Sequence, residues 1–172
     1  MNQSSDERGS SGINILWPNR ANEHFKTALQ NAKDGKTPNN ISCIIKYSLN
    51  GGVTAIWMGD LEKDFMENIK DEISLPKTNI LFAPHHGRKS GKIPQEWIDA
   101  MDPNIIVMVK QFKRFRLCLI SRPQQDSANS AKDIIFECED GKVHVYCSNE
   151  YYTIDFLDNE WKSTYDYYKK EH

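Results

Sequence analysis

Apolar positions in this chain recur at two different periods, and the changes between them lay out its elements. Ile13-Asn14-Ile15-Leu16-Trp17 reads as a short strand closed by Pro18. Phe25, Ala28, Leu29 and Ala32 recur at spacings of three and four, which predicts a helix over residues 20–33. The turn-rich run from Asp34 to Asn40 ends it. Ile41 to Leu49 and Val53 to Met58 are strands, joined by the hairpin signal Asn50-Gly51-Gly52. Leu61, Phe65, Ile69 and Ile73 then share one face of a helix over residues 61–73.

Two short apolar runs follow, Asn79 to Ala83 and Ile105 to Val109, each a buried strand. Between them, residues 94–101 form a helix with proline in the first turn, where its missing N–H costs nothing. The order from Val53 is therefore strand, helix, strand, helix, strand: an α/β layout with a sheet covered by helices. Residues 110–132 begin basic, end polar and read mostly as loop. Asp133 to Cys138 and Val143 to Ser148 flank Glu139-Asp140-Gly141-Lys142 as a second hairpin. Tyr151 to Leu157 is a last strand before an aromatic, charged tail.

Composition narrows the class without choosing a function. With 22 Lys+Arg against 24 Asp+Glu, the net charge of -2 does not suggest a surface that coats nucleic acid or a polybasic membrane anchor. The longest apolar run is five residues (105–109), against roughly 20 for a bilayer span. Residues 1–12 read as a flexible polar leader with no secretory h-region. The four cysteines, Cys43, Cys118, Cys138 and Cys147, form no C-x-x-C pair and sit mostly among apolar neighbours. Buried reduced thiols in a cytoplasmic protein are the expectation.

Chemistry concentrates at the C-terminal ends of two predicted buried strands. Gly59-Asp60 follows one, and Pro84-His85-His86-Gly87 follows the other, 25 residues on. Ligands of open α/β sheets bind outside the strand C-termini. A carboxylate and an imidazole there are suited to zinc or manganese, and the neighbouring glycines permit sharp turns. Taken singly, Gly-Asp is as well read as a helix cap and His-His as packing. Joined by one crossover helix, they point to a shared site.

These motifs resemble the second half of the metallo-β-lactamase fold, in the form found in the hydrolase domain of ComEC-type competence proteins. Asn39-Asn40-Ile41-Ser42, Gly59-Asp60 and His85-His86-Gly87 appear in that family's order, and Ile15-Leu16-Trp17-Pro18 matches its strand ending in proline. The resemblance covers residues 13–110, with residues 111–172 as a C-terminal extension packed on the same domain. It implies half of an αββα sandwich, a mixed sheet with covering helices, followed by a β-hairpin extension. It also implies a metal-dependent hydrolase, a phosphodiesterase or nuclease, with two divalent metals, zinc or manganese, in the complete site. Asp60 matches the metal-bridging carboxylate. His85 or His86 matches the last histidine ligand, with His85, which directly follows the strand, preferred. The other histidine, with Arg88, Lys89 and Ser90, is placed to contact a phosphate.

The chain departs from the family in one large respect. The principal metal motif H-x-H-x-D-H is absent, and the remaining histidines are His24, His144 and His172. Two ligands are too few for a catalytic zinc, which takes at least three protein donors. The expectation is weak metal binding and little hydrolysis by the chain alone. A half-sandwich also leaves an apolar sheet face open. The missing half is expected from the same or another polypeptide, or from a self-dimer. The alternatives are hydrolysis of a small ester, lactone or thioester, and a non-catalytic binding or regulatory subunit that retains the fold. Lys110-Gln111-Phe112-Lys113-Arg114-Phe115-Arg116 interleaves four cations with two aromatics and suits a nucleic-acid backbone as well as it suits an exposed strand. No membrane partner is expected.

Overall fold

A computed structural model describes residues 11–48, 52–110, 114–118, 134–139 and 141–147. Its elements are β1 (Ile13–Trp17), α1 (Glu23–Lys33), β2 (Ile44–Ser48), β3 (Thr54–Trp57), α2 (Lys63–Ile69), β4 (Ile80–Phe82), α3 (Gln95–Met101), β5 (Ile105–Lys110), β6 (Arg114–Cys118), β7 (Ile134–Glu139) and β8 (Lys142–Cys147). The first six strands form one mixed sheet in sequence order. β1, β2 and β3 run antiparallel, β3, β4 and β5 parallel, and β6 returns antiparallel to β5. β7 and β8 make a separate two-stranded hairpin. The chain is thus α/β, as the alternating periods predict.

The parallel centre follows from its connections. Each crossover carries a helix, and parallel neighbours need such a connection. Phe65, Met66 and Ile69 of α2 and Trp97 and Met101 of α3 are buried with Ile56 and Leu81 of the sheet. α1 adds Ala28 to the same layer, and its Asn22 cap accepts the Phe25 N–H. Trp17 is buried there too, meeting Phe25 and Phe65 edge-on at 6.1 Å each. All three helices therefore cover one face.

The opposite face is covered in part by the chain itself. Val53, Ala55, Ile80, Ile105 and Val107 are buried on it, beneath Ile134, Phe136, Cys138, Val143 and Val145 of the hairpin. The C-terminal hairpin thus seats over β3, β4 and β5, so the half-sandwich's second face is not left entirely to another segment. On the same face over β1, β2 and the end of β3, Ile15, Ile45 and Tyr47 are half-buried. There Ile13 pairs with Tyr47, and Ile15 with Ile45, which pairs with Trp57. Ile13 and Trp57 are exposed.

Within residues 110–132, read mostly as loop, Arg114–Cys118 pairs with Ile106–Lys110 as the sheet's last strand. Cys43 is exposed rather than buried, while Cys138 is half-buried with its thiol pushed up by burial. Residues 1–10 of the leader, the turn residues Asn50 and Gly51, Lys113 and its two neighbours before it, the strand expected at Tyr151 to Leu157, and the tail lie outside the described residues. No helix among the described residues is long and apolar enough to cross a membrane.

Candidate functional site

Asp60 and His86 come together because two loops at the end of the parallel strands are tied through their backbones. β3 and β4 are direct neighbours with Trp57 opposite Phe82, so Asp60 and His85, each three residues on, emerge side by side. The His85 N–H donates to the Gly59 carbonyl at 2.9 Å, joining one loop to the other. Asp60 is in turn fixed by the Asn-Asn-x-Ser segment: its N–H donates to Ser42 Oγ at 3.0 Å. One turn further on, the Glu62 N–H donates to Asn40 Oδ1. Asn39 and Asn40 return amide donors to the Glu62 carboxylate at 3.0 and 3.3 Å. The segment matched to the family on sequence is therefore the clamp that sets the start of α2 and the position of Asp60.

The histidine loop adopts a conformation that side chains rarely take. His85 and His86 have φ of 48° and 60°, and Gly87 follows at 76°. Two successive non-glycine residues in the left-handed region cost on the order of 1–3 kcal/mol each. Glycines on either side leave the loop its room. A Cβ on Gly91 would lie 2.6 Å from the Pro84 carbonyl oxygen and 2.7 Å from the His85 Cβ. One on Gly87 would lie 2.8 Å from Met108 side-chain atoms.

This turn separates the two histidines. His86 Nε2 lies 3.7 Å from Asp60 Oδ1, both side chains being about half exposed. The His85 ring has its own partner in the loop, with Nδ1 3.2 Å from Ser90 Oγ. It is thus His86, not the strand-proximal His85, that the structure brings to Asp60. Arg88, Lys89 and Ser90 are exposed on the same loop. A separation of 3.7 Å is too long for a hydrogen bond. It is close to the ~3.3 Å that separates two tetrahedral donors each bound at about 2.0–2.1 Å.

Spacing therefore suits a shared divalent ion, and donor number does not. Among the described residues no group of three or more His, Cys, Asp or Glu is arranged to hold a metal. His144 lies on the hairpin, in register with Glu137, and His24 lies near Glu72 on the helical side. The pair as it stands can offer one carboxylate and one imidazole to a ligand, with exposed Arg88 and Lys89 following on the histidine loop. Sequence reasoning found both residues from their place after strands. What it could not find was which histidine approaches Asp60, since that is set by backbone angles. No protein-family model matches the chain, and neither a curated protein nor a solved structure matches it.

Proposed function

We propose that the chain supplies an Asp–His pair to a metal-dependent hydrolase site of the metallo-β-lactamase type, whose other donors come from outside the described residues. The observation that carries this reading is the 3.7 Å approach of His86 to Asp60 across adjacent parallel strands. That pairing is held by a strained turn and a dedicated clamp, a costly arrangement for a mere surface contact. Exposed Arg88 and Lys89 on the histidine loop favour an anionic substrate, a phosphodiester, over a neutral ester, lactone or thioester. Because the hairpin already occupies part of the second face, the completing segment meets the site at the strand ends. It belongs to another polypeptide, another part of this one, or a second copy.

The test is hydrolysis of bis(p-nitrophenyl) phosphate with added zinc or manganese. The chain alone gives no turnover above the metal blank. The chain isolated with its native partners gives turnover that Asp60→Ala and His86→Ala abolish. Turnover by the isolated chain that depends on Asp60 contradicts a composite site. A native assembly with no metal-dependent turnover favours the second reading, a non-catalytic binding or regulatory subunit, to which the low donor count already points.

A further inference from the structure

On the helical side of the sheet, α1, residues 36–40 and α2 surround a cavity of about 210 Å³. Its base is apolar: Ala28 of α1 and Phe65 of α2 line it, and both are buried. Its walls are polar, with the Thr27 hydroxyl, the Asn31 and Asn68 amides and the Lys36 ammonium among the lining groups. None of the lining residues is acidic. Lys36 Nζ donates to Asn31 Oδ1 at 3.0 Å, and no carboxylate pairs with it among the described residues. An ammonium carries three N–H donors, so donors and an uncompensated charge remain for an anion.

We propose that this cavity binds a small aromatic carboxylate, its ring on Ala28 and Phe65 and its carboxylate at Lys36. Size sets the first limit. An apolar cavity on the order of 150 Å³ takes up benzene, so about 210 Å³ admits one ring and a small polar group but no drug-sized ligand. Polarity sets the second, since an apolar base with a few polar groups above it is the usual make-up of a small-molecule site. Charge sets the third: the free cation at Lys36 selects an anion over a neutral or cationic ligand of the same shape. The inference stands apart from the reading of Asp60 and His86, neither of which lines the cavity. The two meet at one residue only: Asn40 lines the cavity and also accepts the Glu62 N–H. An occupant is therefore felt at the start of α2.

Amide NMR of the full chain tests it, with benzoate, benzamide and benzylamine as probes. Benzoate is expected to shift the Ala28, Asn31, Asn68 and Glu62 signals saturably, with a Kd on the order of millimolar for a ligand of so few atoms. Benzamide, which has the same shape without the charge, should bind about fivefold more weakly, and benzylamine more weakly again. Lys36→Met should bring benzoate to within about twofold of benzamide. Ala28→Leu, which fills the base, should abolish the shifts. Thr27→Phe, at an exposed wall position, should do the same if the first variant does not fold. Benzamide binding as tightly as benzoate overturns the anionic assignment. Shifts that do not saturate, that centre on other residues, or that survive the cavity-filling variants overturn the site itself.

Discussion

Gly59 and Ser42 approach more closely than any side chain at position 59 allows: a Cβ there would lie 2.6 Å from the Ser42 Cβ and 3.0 Å from its Oγ. The same Oγ accepts the Asp60 N–H. Gly59 also sits at φ 56°, where an added Cβ is strained whatever the space. Gly59→Ala should therefore destabilise the fold by roughly 2–4 kcal/mol, from backbone strain and overpacking together. Ser42→Ala, which removes only the acceptor, should cost about 1 kcal/mol. Urea unfolding of the two variants checks the order.

Asn40 holds both ends of one residue, accepting the Glu62 N–H and donating to its carboxylate. Asn40→Ala should lower stability by about 1–2 kcal/mol. It should also increase amide hydrogen exchange in the first turn of α2 and at Asp60 while leaving β5 unchanged. Uniform exchange across the chain would mean that the clamp has no local role.

His86 occupies a left-handed conformation that only glycine adopts freely. His86→Gly should be more stable than His86→Ala by about 1–2 kcal/mol, because alanine keeps the Cβ penalty and glycine does not. Both lose the imidazole, so thermal unfolding separates backbone strain from side-chain chemistry. Equal stability of the two would show that this turn stores no strain.

Cys43 and Cys138 should differ in reactivity. Cys43 is exposed, whereas burial pushes the Cys138 thiol up, so less of it is thiolate at any pH below its ordinary range. Iodoacetamide at pH 8 should label Cys43 several-fold faster in peptide mapping. A thiol whose folded value is raised keeps its proton in the fold, so its contribution to stability falls as pH climbs past the unfolded value. Labelling of Cys138 as fast as Cys43 would contradict its placement under the sheet.

The elements that could be read from the sequence are those whose burial leaves a period. Phe65 and Ile69 signalled α2, and the apolar runs at Ile80 and Ile105 signalled the parallel strands. β6 was hidden because Arg114 and Arg116 alternate with Phe115 and Leu117, and the cations masked a strand at the sheet edge. Cys43 misled because it stands in an apolar run yet precedes β2, beyond the 3-10 turn at Asn39–Ile41, where burial begins only at Ile44. Asp60 and the histidine pair were legible from their place after strands. The approach of His86 to Asp60 was not, since two left-handed residues in succession follow no hydrophobic pattern. That the C-terminal extension packs on the same domain was expected; which strands its hairpin covers was not, because that depends on where the hairpin lands rather than on its own alternation.

The central claim is that Asp60 and His86 form one half of a metal site, with His85 outside it. Zinc titration of the purified chain, followed by dialysis and elemental analysis, tests this most directly beside Asp60→Ala, His86→Ala and His85→Ala. The account predicts weak zinc binding that dialysis removes, further weakened by the Asp60 and His86 substitutions and little changed by that at His85. Metal retained at one or two ions per chain through dialysis, or binding indifferent to Asp60 and His86, would contradict it.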